Sequence, residues 1–290
     1  MNIRQLIGLA AAVVATTTTT AIAEDRLGQM ISPAYHITNF EDPRNLSEAR
    51  LIYAYHEMDD KFVTAGGDVQ IYALQLRWAI NEDWAIIATK DGYVDFNPKS
   101  VLPHDEGLAD VEAGVKYSFY RDNAAGHIAS VQLRYLIPVG DEDVLQGEGD
   151  GSIHPSVSGA FSLTDALTFT AGTGLRIPID SADSFFWDLD TQLDYRIDSG
   201  IGAFHPLIGV SLIQIADGGE RLPIADEGQD FFNFGASEAG GESIVTGVAG
   251  LRYRPSEMFD IGGHFQFPFS HEEGNRVIDY RWLFDVIVRF

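Results

Sequence analysis

The last ten residues, RWLFDVIVRF, alternate by twos: Trp282, Phe284, Val286, Val288 and Phe290 are apolar, while Arg281, Leu283, Asp285, Ile287 and Arg289 mix three charges with two aliphatics. Successive side chains of a strand leave opposite faces, so the segment specifies a ribbon with one oily and one charged face. The period recurs in VEAGVKYSFY from Val111, in FFWDLDTQLDYR from Phe185 and in FDIGGHFQFPF from Phe259. Helical periodicity is nowhere sustained, and an all-β chain follows.

About twelve such segments can be marked, near 48–57, 68–80, 84–92, 108–120, 127–139, 153–164, 167–179, 185–197, 203–216, 242–254, 259–270 and 277–290. Short connections at 81–83, 121–126, 165–166, 198–202 and 255–258 alternate with mostly longer ones at 58–67, 93–107, 140–152 and 216–241. Short turns at one end and long loops at the other predict an antiparallel up-and-down transmembrane β-barrel of about 12 strands, with both termini on the periplasmic side.

A soluble sandwich alternates too, with its apolar face inward. The aromatics argue for lipid. Trp78, Trp84, Tyr117, Phe119, Tyr195, Tyr253, Phe259 and Phe290 lie toward the short turns, and Trp187, Tyr280 and Trp282 toward the long loops, which is the placement of two membrane girdles. A one-residue slip of the last strand would turn Asp279, Arg281, Asp285 and Arg289 outward. With roughly 2–4 kcal/mol for a base at mid-membrane, that register is excluded. Pro138, Pro178 and Pro268 fall where strands end, the position a residue without an amide hydrogen tolerates.

The first 23 residues, with Arg4, an apolar run from Leu6 to Val14 and an Ala21-x-Ala23 site, have the layout of a secretory signal peptide. The expected organisation is therefore 1–23 signal peptide, 24–47 periplasmic segment and 48–290 barrel, in the outer membrane of a Gram-negative-type envelope. Loss of Arg4 takes the formal charge from −24 to −25, which disfavours nucleic acid as a partner. Expected partners are outer-membrane lipid and lipopolysaccharide, the barrel-assembly machinery through the strand ending at Phe290, small solutes and divalent cations.

At 107–122, GLADVEAGVKYSFYRD places Gly107, Asp110, Gly114, Lys116 and Tyr117 in a Gly-x-x-Asp opening followed by apolar-x-x-Gly-x-Lys-Tyr. This resembles outer-membrane proteins grouped as meta-pathway of phenol degradation transporters. The resemblance implies a barrel that passes small, hydrophobic or aromatic molecules, and brings no catalytic residues. Related fatty-acid transporters carry an amino-terminal hatch, for which 24–47 is too short.

On the charged faces, the expected lumen-lining residues are Gln75 and Arg77; Glu112 and Lys116; Gln132 and Arg134; Arg176; Asp188, Asp190, Asp194 and Arg196; Arg252; His264; and Asp279, Arg281 and Asp285. They would either set the selectivity of a polar pore or form a network that only satisfies the interior. The acidic loop with Asp141, Asp143, Glu148 and Asp150, and the loop 217–242, either hold a cation through hard oxygens or are simply solvated; neither has EF-hand spacing. With Phe231, Phe232 and Phe234 inside it, 217–242 can also fold inward as a constriction.

Catalysis has little support: Ser152, His154 and Ser156 lack a recognisable third member. No cofactor motif and no histidine pattern for zinc are legible. The favoured reading is a channel or transporter for small solutes, and the alternative a structural or surface-binding barrel with a blocked lumen.

Overall fold

The computed structural model describes residues 25–272 and 274–290. The signal-peptide expectation for 1–23 lies outside them. Fifteen strand segments form one antiparallel sheet: β1 (Glu48–Met58), β2 (Gly67–Ala79), β3 (Trp84–Lys90), β4 (Tyr93–Pro98), β5 (Asp105–Leu108), β6 (Val111–Asp122), β7 (His127–Ile137), β8 (Ser152–Ser162), β9 (Leu167–Pro178), β10 (Phe185–Tyr195), β11 (Ile197–Ser199), β12 (Gly202–Asp217), β13 (Ser243–Ser256), β14 (Phe259–Pro268) and β15 (Tyr280–Arg289). Three strands are interrupted once each, at β3/β4, β5/β6 and β10/β11, so the segments make a barrel of 12 strands. β1 closes it, pairing with β2 from Glu48↔Arg77 to Met58↔Gly67 and with β15 from Glu48↔Arg289 to Glu57↔Tyr280. Closure pairs every strand segment on both sides except the short β5 and β11, which have one partner each, and a closed wall is the condition for strands to sit in hydrocarbon.

The burial of β15 alternates residue by residue, with Arg281, Leu283, Asp285, Ile287 and Arg289 buried and Trp282, Phe284 and Val288 exposed. The exposed face of the whole barrel is likewise apolar, including Leu51, Leu74, Leu76, Ile86, Val115, Leu133 and Ile208. The oily face looks outward. Rings collect at the short-turn end, with Trp84 on Tyr117 at 4.6 Å and Trp78 near Phe290 at 6.2 Å between centroids. At the other end Phe265 and Trp282 lie 4.6 Å apart.

One connection differs from expectation. Residues 93–107 are not a loop: β4 and β5 form a hairpin that continues the wall, β4 pairing with the upper half of β2 from Gly67↔Pro98 to Tyr72↔Tyr93. The break at Asp91-Gly92 hides the continuity. Asp91 there accepts a hydrogen bond from the Leu74 amide at 2.9 Å, and Gly92 takes φ +130°, a backbone that other residues rarely adopt. Val94 and Phe96, buried beyond the break, hold the extension in place.

A second feature concerns the stretch 24–47, expected as a periplasmic segment. After a single helical turn, α1 (Arg26–Gln29), residues 30–44 are all buried inside the cylinder. The loop 217–242 enters as well, burying Phe231, Phe232, Phe234, Asp230 and Glu227. The two segments meet where Thr38 Oγ1 donates to the Asp230 carbonyl at 3.2 Å.

Candidate functional site: a filled lumen

The inner wall is polar because the outer wall must be apolar, and the inward charges are therefore obliged to find partners inside. Some pair along the wall. Asp285 binds Arg252 at 2.5 Å and Arg50 at 2.6 Å, while Asp260 binds Arg254 and Arg289, each at 2.8 Å. Glu112 binds Arg134 at 3.0 Å and accepts from Thr89 at 2.6 Å. Asp194 meets His205 at 3.0 Å.

The rest of the polar wall holds the inner segment. Glu41 lies 2.7 Å from Arg77 and 2.9 Å from Lys116. Lys116 also donates to the carbonyls of Asp42 and Arg44, at 2.8 and 2.7 Å. Gln75 donates to the Ile37 carbonyl at 2.5 Å, and Arg134 to that of Thr38. Burial alone would raise the Glu41 carboxyl, but Arg77 and Lys116 hold it down to about 2. Gln192 accepts from the Ala34 amide at 2.9 Å, and Tyr35 donates to the carbonyls of Thr191 and Val210. Gly209 faces Tyr35 closely enough that an added Cβ would stand 2.4 Å from its hydroxyl. An inward glycine in a strand marks such a close approach.

The loop is anchored from the opposite mouth. Asp230 makes a two-point ion pair with Arg281, and Arg176 donates to the carbonyls of Gln229 and Asp230, both at 3.2 Å. Lys90 donates to the Phe231 carbonyl at 3.1 Å. Glu227 ties the loop to itself, accepting from the amides of Phe234 at 2.5 Å and Ala236 at 2.9 Å. Phe231, Phe232 and Phe234 join Phe62, Phe96 and Phe186 in one apolar cluster.

Gln75, Arg77, Glu112, Lys116, Gln132, Arg134, Arg176, Asp188, Asp190, Asp194, Arg252, His264, Arg281 and Asp285 are all buried on the inner face. Two expected lining residues are not. Arg196 sits at the short-turn rim, bound to Asp198 at 2.8 Å, because β10 breaks there. Asp279 precedes β15 and is half-exposed, 3.9 Å from His271. Of the residues expected in the girdles, Trp78, Trp84, Tyr117, Phe119, Trp187, Tyr195, Trp282 and Phe290 are exposed, and Tyr253, Phe259 and Tyr280 partly so. In the acidic loop Asp141 accepts from the Leu108 amide at 2.6 Å and Glu148 approaches Arg221 at 3.7 Å, while Asp143 and Asp150 are exposed. Among the described residues, no three of its carboxylates come together as a cluster within ligand distance of one another.

Ser152 Oγ lies 2.8 Å from His154 Nε2, and His154 Nδ1 lies 2.5 Å from Glu112 Oε2. The third partner absent from the local sequence is thus supplied by β6. Glu112 is already shared with Arg134 and Thr89, and Ser152 is 1 % exposed, so the trio is woven into the interior network. A cavity of about 20 Å³, room for a water molecule, adjoins Ser152, Lys90 and Arg176.

Sequence reasoning missed Tyr35, His36, Glu41, Asp42, Asp230, Glu48 and Asp260. Glu48 and Asp260 carry a readable signal, since both share the inward parity of their strands. The others lie in stretches without period.

No protein-family model and no curated protein matches this chain. Solved structures do. The chain is similar to an outer membrane channel from Pseudomonas putida F1 over 90% of its own length and 100% of that chain, at 12% identity and TM-score 0.61. It is similar to the beta domain of the Bordetella autotransporter BrkA over 84% of its length and 99% of that chain, at 13% identity and TM-score 0.50. The NanC porin aligns over 84% of the chain and 98% of its own, at 10% identity and TM-score 0.48. At these identities the likeness is one of barrel fold.

Proposed function

We propose that this protein is an outer-membrane channel for small solutes, aromatic ones among them, whose lumen is closed in the state described. The observation that carries the reading is what fills the barrel. The lumen is occupied by two non-strand segments, residues 30–44 and the buried part of the loop 217–242. Barrels of about eight strands fill with their own side chains and those of sixteen or more leave water, so a cylinder of twelve has room for a removable stopper. Without the two segments, the wall bears opposed charges at Arg77, Lys116, Arg134, Arg176, Asp188 and Asp285, a lining suited to selecting solutes.

The apolar outer face and its aromatic ends support residence in a bilayer. Passage of aromatic solutes is supported by the phenylalanine cluster at the loop-side mouth and by the resemblance of 107–122 to phenol-pathway transporters. No catalytic role is assigned. The likeness to an outer membrane channel agrees in fold.

Planar-bilayer recording tests it. The intact protein is expected to show rare, brief openings, and a variant lacking residues 25–45 sustained current steps. A folded, inserted barrel that stays silent after both this deletion and shortening of 217–242 refutes the channel and favours a structural or surface-binding barrel.

A further inference from the structure

We propose that His36, Asp188 and Asp190 form a site for one divalent first-row transition ion that pins the inner segment to the barrel wall. Asp188 and Asp190 stand two residues apart on β10 and so leave the same inward face, and His36 reaches them from the inner segment. One ligand atom from each lies within 4.8 Å of the other two, and all three residues are buried.

The partner count is what calls for a cation. His36 Nδ1 lies 2.5 Å from Asp190 Oδ2, but Asp190 Oδ1 has no hydrogen-bond partner although the side chain is fully buried. Asp188 has no ion pair among the described residues. Arg134 and Arg176, which act on it from a distance, are engaged by Glu112, by the Thr38 carbonyl and by the Gln229 and Asp230 carbonyls. Two carboxylates and one imidazole are left to balance each other, and a buried charge without a partner is strongly disfavoured.

Asn39 is compatible with such a site. Its Nδ2 is placed 3.0 Å from His36 Nε2, and its Oδ1 has no partner. With the amide oxygen and nitrogen exchanged, Nε2–H donates to Asn39 Oδ1. Nδ1 then turns a lone pair toward the two carboxylates, an arrangement that only a cation between them makes favourable. A ligating histidine that gives its other N–H to an amide oxygen is the usual outer support of a metal site. Asp190 Oδ1 would then have a partner in the ion.

One imidazole and two carboxylates suit zinc, manganese or iron; calcium seeks six to eight oxygens. The group Asp59, His271 and Asp279 offers similar atoms, but it is open to solvent and, among the described residues, no buried atom there lacks a partner. It serves as the control.

The test uses the full mature chain folded in detergent, stripped with EDTA, exposed to Zn²⁺ or Mn²⁺ and desalted. About one ion per barrel is expected by elemental analysis, falling at least tenfold in His36→Gln and Asp190→Asn and unchanged in Asp279→Asn. Heat-modifiable gel migration shows which variants fold. Co²⁺ loading of the unmodified protein gives a readout that needs no variant: visible ligand-field bands, bleached by Zn²⁺. A folded protein that retains no ion overturns the site, as does retention indifferent to both substitutions or lost in Asp279→Asn. The pinning role rests on the channel reading: a bound ion whose removal leaves conductance unchanged overturns that role and leaves the site standing.

Discussion

Arg281 and Asp230 meet at both oxygens of the carboxylate, Nη1–Oδ2 and Nη2–Oδ1 each 2.8 Å, although they are 51 residues apart and one belongs to the wall and the other to a loop. Both are buried. This pair holds the loop-side stopper inside the barrel, and it is the first place to pull it out.

Replacing Asp230 with alanine leaves Arg281 buried without its counter-ion. Breaking one half of such a pair costs about 3–5 kcal/mol, so the loop's inward position is expected to weaken by roughly 10²–10⁴-fold. Single-channel open probability should rise accordingly, with insertion unaffected.

Acid should loosen the other segment. The Glu41 carboxyl, which burial would raise, is held near 2 by Arg77 and Lys116, below its ordinary 4.5. A depressed carboxyl contributes stability that is complete above the unfolded value and lost as pH falls from there through the folded one. Protease cleavage within 30–44 is therefore expected to accelerate between pH 4.5 and about 2. In Glu41→Gln this acid-dependent step should shrink and cleavage at neutral pH should already be faster.

The two faces of β15 predict opposite sensitivities. Phe284 is half-exposed on the outer face near the middle of its strand, so Phe284→Arg should cost roughly 2–4 kcal/mol and reduce yield of folded barrel in lipid vesicles. Arg281→Gln, on the inner face, should insert like the parent protein while raising conductance. Equal loss of insertion would contradict the assigned faces.

Ser152, His154 and Glu112 approach each other as a hydrolase trio does, but the hydroxyl is closed off and Glu112 is held by Arg134 and Thr89. Treatment with a fluorophosphonate is expected to leave Ser152 unlabelled in the intact protein, as read by mass spectrometry. Ser152→Ala should leave conductance within about twofold, since a neutral interior hydrogen bond contributes only about 0.5–1.5 kcal/mol.

The sequence by itself determined the wall. Side-chain alternation in β15, β6 and β10 is a local property of a strand, and only one register keeps Arg281 and Asp285 off the lipid. The hairpin at β4 and β5 escaped because one glycine at Gly92 interrupts the period without ending the strand. What fills the barrel was decided by tertiary structure. Residues 30–44 have no period, and their place depends on partners far along the chain: Arg77 for Glu41, 36 residues away, and Asp190 for His36, 154 residues away. A stopper is specified by complementarity to a surface that exists only once the cylinder has closed, because buried charges choose their partners by distance in space.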